Sequence, residues 1–98
     1  MTRQPLSDEE IAAALRELPD WTVQEGKLHR QYQFPSFARA IAWLVAAAVE
    51  AEKMDHHPEW CNVYNRITVN LVTHSLGNKI SNLDVALARK MEKLRSED

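Results

Sequence analysis

Two hydrophobic periods alternate along this chain, and the switches between them predict its elements. After Ser7, the apolar residues Ile11, Ala14, Leu15 and Leu18 recur at helical spacing until Pro19 ends the run. Ser7-Asp8-Glu9-Glu10 has the capping-box form, a hydroxyl at N-cap and a glutamate at N3, so Ser7 opens this first helix. From Trp21 the period drops to two. Trp21-Thr22-Val23 reads apolar, polar, apolar, and Glu25-Gly26-Lys27 offers a hairpin turn with glycine at positive φ. Leu28, Arg30, Tyr32 and Phe34 then share one face of a strand that Pro35 stops.

Ser36 is the N-cap of the longest helix, Phe37 to about Met54. Its expected buried stripe is Phe37, Ile41, Leu44, Val45, Ala48 and Ala51, with Ala40 and Ala47 allowing close approach. Followed down the helix, that stripe leads to Glu52 on or beside the inward side. Proline at 58 forces His57 out of helical geometry. A second hairpin follows, Trp60–Tyr64 and Ile67–Thr73, turning near Asn65-Arg66. Ile67, Val69 and Leu71 mark one face; Thr68, Asn70, Val72 and His74 lie on the other, with His74 at the strand's exit. Ser75 to Lys79 is a turn, and Ser81-Asn82-Leu83-Asp84 caps a last helix running through Val85, Leu87, Ala88, Met91 and Leu94. Residues 1–6 and 95–98 fit neither period and are expected to be loose tails of a single domain spanning 1–98.

The order is therefore αββαββα. The simplest architecture is α+β, a four-stranded antiparallel sheet with its helices packed on one face. At 98 residues the chain buries only roughly two-thirds of its unfolded surface, so a subunit interface would add stability. A net charge of −2 argues against nucleic-acid binding through a basic surface. One cysteine, Cys61, excludes an internal disulfide and fits a reducing compartment. The N-terminus carries no apolar core that would suggest a signal peptide, and no apolar run is long enough to span a bilayer, so the expected location is cytoplasmic.

The chemistry concentrates in Glu52-Lys53-Met54-Asp55-His56-His57-Pro58-Glu59-Trp60. Glu52 and His56 are four apart, so they stack if the last helical turn persists. Nearby carboxylates and a neighbouring imidazole let two histidines take different protonation states, which suits an acid and a base acting on one substrate. Blander roles exist for each residue. Adjacent histidines also settle at helix carboxyl ends, Asp84 is accounted for by its capping box, and Trp60 serves equally as a packed aromatic. Lone His29 reads as a surface histidine, Tyr64 as a hairpin residue, and Cys61 lacks an adjacent base. His56, His74 and Glu52 match the content of a two-histidine, one-carboxylate metal site, but the chain has no His-x-x-x-His or Cys-x-x-Cys pair. No metal is expected.

Glu52, three residues, His56-His57-Pro58, five residues, Tyr64, nine residues, His74, nine residues and Asp84 together resemble the signature of the pterin-4a-carbinolamine dehydratases. The runs Ala51–Trp60 and Asn62-Val63-Tyr64-Asn65 are similar to that family almost letter for letter, and the likeness covers nearly the whole chain. The resemblance implies the αββαββα fold and dehydration of a 4a-hydroxytetrahydropterin to the quinonoid dihydropterin, in tetrahydrobiopterin recycling, without metal or organic cofactor. By position it implies His56, His57 and His74 as the catalytic set. Asp55, the histidine pair and Val72-Thr73-His74-Ser75 would contact substrate, with Glu52, Pro58, Trp60 and Asp84 in support. One of His56 and His74 is the expected main acid, with His57 chiefly holding the substrate. The resemblance also implies homodimers or homotetramers, and in some members a second, protein-binding role: stabilising a transcription factor's dimers or assembling another enzyme.

Overall fold

A computed structural model describes residues 2–96, so Met1 and the last two positions of the expected C-terminal tail lie outside the described residues. The elements follow in the order α1 (Asp8–Glu17), β1 (Thr22–Gln24), β2 (Lys27–Gln33), α2 (Phe37–Met54), β3 (Glu59–Val63), β4 (Arg66–Leu71) and α3 (Asn82–Ser96), with a short 3-10 turn at His74–Leu76 before α3. The α+β class and the αββαββα order are as the sequence predicts.

Local sequence accounts for the element ends. The Ser7 hydroxyl accepts from the Glu10 amide while the Glu10 carboxylate accepts from the Ser7 amide, so the capping box is closed. That pairing with Ser7 also holds the Glu10 carboxyl below the usual carboxylate range. Ser36 caps α2 by accepting from the Arg39 amide. The first hairpin turns on Glu25 and Gly26, both at positive φ (54° and 77°), and the second turns on Tyr64 at φ 53°.

The four strands form one antiparallel sheet in the order β1-β2-β4-β3. Leu28 pairs with Leu71, Arg30 with Val69 and Tyr32 with Ile67, and this register puts the alternate apolar residues of both central strands on one face. Leu28, Tyr32, Ile67, Val69 and Leu71 are all fully buried there, against Leu87, Ala88 and Met91 of α3 and Ala47 of α2. The Tyr32 ring lies 4.4 Å from that of Trp43, centroid to centroid, the two planes tilted by 41°. Its hydroxyl donates to Glu92, and burial pushes that phenol far above its ordinary range. Trp21 Nε1 (3.0 Å) and Arg30 (2.5 Å) donate to the same Glu92 oxygen. The other face carries His29, Gln31, Thr68, Asn70 and Cys61 in register. His29 meets Asn70 there at 2.9 Å, and Cys61 is a free, exposed thiol.

Several expectations need correction. The buried side of α2 is Ala40, Trp43, Ala47 and Ala51, while Phe37 and Val45 are half exposed at 50% and 56%. This helix is apolar round most of its girth, and the small alanines rather than the larger aliphatics let α3 approach. β3 and β4 each begin one residue earlier than expected. β4 stops at Leu71, so Thr73 is held by a bridge to Lys79 and Val72 turns inward, buried. Residues 2–6 are not loose: Pro5 bridges Ser81, the Leu6 amide donates to the Ile80 carbonyl, and Gln4 and Thr2 bond Asn82. Arg95 belongs to α3 and lies over the Phe34 ring, its guanidinium donating to the Gln33 carbonyl. Among the described residues, no helix is long and apolar enough to cross a membrane.

Candidate active site

At the carboxyl end of α2 the chain makes a left-handed turn at Asp55 (φ 51°, ψ 44°). The Asp55 amide bonds the Glu52 carbonyl and the His56 amide bonds the Ala51 carbonyl, closing the helix in a Schellman-type arrangement. The turn breaks the helical register immediately before the histidine pair. His56 therefore points into the protein, buried, while His57 remains mostly exposed. The expected stacking of Glu52 on His56 fails for this reason. Glu52 is 79% exposed, not inward, and its carboxylate meets His57 Nε2 at 2.7 Å.

His56 meets Asp84 instead, Nε2 to Oδ1 at 2.5 Å, with the carboxylate fully buried. The other Asp84 oxygen accepts from the Ser81 amide (2.8 Å) and from the Thr73 hydroxyl (2.9 Å). Thr73 and Ser81 hydroxyls lie 2.6 Å apart, and Ser81 Oγ accepts from the Leu83 amide. Because Thr73 gives its proton to Asp84, Ser81 must donate to Thr73, and the chain of donors runs Ser81 to Thr73 to Asp84. Asp84 is thus both the N3 partner of the α3 cap and the carboxylate behind His56. The capping pattern predicted the first role and gave no sign of the second, which needs the start of α3 and the end of α2 brought to the same place.

His74 sits on the 3-10 turn after β4, and its Nε2 lies 2.9 Å from Glu59 Oε2. The other Glu59 oxygen takes a 2.6 Å bond from Lys27, and the ammonium first, then His74, holds the Glu59 carboxyl below its ordinary range. The three histidines thus share one device, Nε2 facing a carboxylate of its own. An acceptor there fixes the Nε2–H tautomer of the neutral ring and leaves Nδ1 as its basic atom. Among the described residues no hydrogen bond engages those three Nδ1 atoms.

One open cavity of about 190 Å³ is lined by Arg3, Asp55, His56, His57, Val72, Thr73, His74 and Ser75. Every position expected to contact substrate therefore borders one space. Of the residues expected in support, Asp84, Glu52 and Pro58 stand outside the lining, the first two each behind an imidazole. Trp60 does not shape this cavity; it packs toward the core, 6.4 Å from the Trp43 ring. Tyr64 is exposed at the hairpin tip. Arg3 is the wall residue that sequence reasoning missed, since a short segment without periodicity reads as a tail. Its guanidinium donates to the Asp55 carbonyl at 3.0 Å and stands 4.0 Å from the Asp55 carboxylate.

Fold and cavity together describe a small α+β protein with a histidine-lined pocket suited to moving protons. The comparisons are specific. A family model described as Pterin 4 alpha carbinolamine dehydratase matches residues 4–94, and the chain belongs to that family. It is 52% identical to a protein of Solibacter usitatus over 89 residues, 91% of this chain and 93% of that one. It is 47% identical to one of Rhizorhabdus wittichii, covering 96% of this chain and 98% of the relative. Both bear the name "Putative pterin-4-alpha-carbinolamine dehydratase". A crystal structure of a transcriptional coactivator/pterin dehydratase from Brucella melitensis superimposes with a TM-score of 0.87 at 42% identity, covering 93% of this chain and 98% of that chain.

Proposed function

We propose that this protein dehydrates a 4a-hydroxytetrahydropterin to the quinonoid dihydropterin by histidine acid–base catalysis, in tetrahydropterin recycling. The observation that carries the reading is the single cavity bordered by His56, His57 and His74, each backed by its own carboxylate. Membership of the family supports the same activity.

The chemistry asks for two proton transfers and no electrons from outside. The C4a–O bond breaks as an imidazolium protonates the leaving oxygen, which departs as water. The N5 lone pair forms the C4a=N5 double bond, and a neutral imidazole removes the N5 proton. His56 and His74 are the acid–base pair, with their rings steadied by Asp84 and Glu59. His57, whose exposed ring stands on the rim, chiefly holds the substrate. Backbone groups of Val72–Ser75 supply polar contacts to the flat pterin edge.

Turnover of a 4a-hydroxytetrahydropterin by single His→Ala variants at 56, 57 and 74 tests this, followed by the absorbance of the quinonoid product. H56A and H74A are expected to lower kcat by about 10²–10⁴-fold, the usual contribution of a positioned acid or base. H57A should act mainly on KM. Wild-type kcat/KM in all three variants would refute the assignment.

Self-association fits the surface of α2, where Phe37, Val45 and Val49 expose apolar side chains. We propose a homo-oligomer built on that face, in the cytoplasm. Sedimentation of V45E/V49E should show monomers if this is correct, and an unchanged assembly would exclude the face.

A further inference from the structure

The segment ahead of α1 ties together the two elements that carry the buried dyad. Asn82, the first residue of α3, bonds it three times: the Gln4 amide donates to Asn82 Oδ1 (2.9 Å), the Asn82 amide donates to the Gln4 carbonyl (3.2 Å), and Asn82 Nδ2 donates to the Thr2 carbonyl (2.8 Å). The Pro5–Ser81 bridge and the Leu6–Ile80 bond extend the seam. Arg3 lies between these anchors and reaches across to the far end of α2, where it donates to the carbonyl of Asp55. Asp84 is two residues beyond Asn82, and His56 immediately follows Asp55. The strap thus fixes the α3 end of the His56–Asp84 bond through Asn82 and the α2 end through Arg3.

The α2 end needs fixing. Asp55 is one of the few side-chain-bearing residues at positive φ, a conformation that L-residues other than glycine adopt reluctantly. The Schellman-type bonds engage the carbonyls of Ala51 and Glu52 but leave that of Asp55 to find a partner outside the helix. If the peptide between Asp55 and His56 rotates, the imidazole leaves its carboxylate. A guanidinium at this point holds that peptide and also places positive charge at the helix carboxyl terminus, where the backbone dipoles favour it.

We propose that Arg3 is a positioning residue: through the Asp55 carbonyl it holds His56 in line with Asp84, and Asn82 delivers it there. This rests on the acid–base reading of the cavity, and it adds a residue outside the expected site whose effect is carried by His56. R3A is therefore expected to lower kcat on a 4a-hydroxytetrahydropterin about 10-fold with little change in KM. R3K, which can still donate to the carbonyl, should restore most of that loss. N82A should reproduce the R3A effect, and R3A/N82A should be no slower than R3A, because both remove the same restraint.

A readout independent of turnover is the proton NMR signal of His56 Nε2–H against Asp84, which should broaden or vanish in R3A and N82A and return in R3K. Circular dichroism and melting curves of each variant separate loss of fold from loss of position. A sharp, unshifted His56 signal in folded R3A would overturn the proposal. So would a rise in KM alone, which would make Arg3 a substrate contact, or fully additive losses in the double variant. If the wild-type protein proves inactive on the pterin, the functional reading fails, while the NMR comparison still decides whether Arg3 governs the dyad.

Discussion

Replacing Asp84 by asparagine tests the buried dyad most directly. The side chain keeps its size but only one oxygen. In the native protein one carboxylate oxygen accepts two hydrogen bonds, from Ser81 N–H and Thr73 O–H, and the other accepts one from His56. The amide therefore has two orientations. If its NH2 faces Ser81 and Thr73, it opposes the Ser81 backbone N–H, a donor that cannot reverse; if it faces His56, the ring can shift its proton and accept. Leaving a buried group unsatisfied costs about 1–3 kcal/mol, so the second orientation wins by roughly that much. The NH2 group then points at Nε2, which must accept, and the neutral ring moves its proton to Nδ1. The ring's basic atom, which should face proton transfer, becomes a donor. The expected fall in kcat is about 10²–10⁴-fold, or about 3–5.5 kcal/mol of barrier. KM should change little, because the cavity lining does not include Asp84. The melting temperature should fall as well, by about 4–8 °C for each kcal/mol in a domain this size. Stopped-flow turnover with a parallel thermal melt measures both. A folded D84N variant within about threefold of wild-type kcat would refute the argument that His56 acts through this carboxylate.

Two other outcomes follow from the same structure. E92Q leaves Trp21, Arg30 and Tyr32 sharing an uncharged acceptor, with Arg30 only 14% exposed. The expected loss is about 2–3 kcal/mol, below the range for a fully buried ion pair because Glu92 is partly open to solvent, and urea unfolding with an unchanged m-value should show it. The Glu59 carboxyl is held low by Lys27 and His74, so its pairing strengthens the folded state above the ordinary carboxylate range and is lost as pH falls through the lowered folded value. The NMR signals of His74 should accordingly lose their link to Glu59 in acid, and in E59Q that acid transition should be absent.

Much of the molecule was legible in residue pattern because its signals are local. Ser7 and Ser36 cap the helices they were expected to cap, and the alternation Leu28-Arg30-Tyr32-Phe34 marks the face of β2 that packs. Helix α2 misled because Ala, Val, Leu and Ile occupy most of its circumference, so no single stripe stands out; the choice was made by what α3 could approach. Glu52 misled for a different reason. The rule that residues four apart meet holds only while the helix continues, and Asp55 ends it one residue before His56. The partners of His56 and the attachment of Arg3 connect positions 28 and 52 residues apart. No local period encodes such a contact. The gathering of Asp55, His56, His57, Val72, Thr73, His74 and Ser75 around one cavity was anticipated by resemblance, and spacing alone would not have supplied it.

The cavity takes its walls from three stretches that meet only once both hairpins and the last helix have docked, with Arg3 at one end of the chain and Ser75 beyond β4. A truncated or half-assembled chain can therefore contain every imidazole and still have no pocket. During refolding from urea, catalysis should return with the slowest structural phase rather than with the first burst of helix, making turnover a stringent gauge of how many molecules have truly reached the native state.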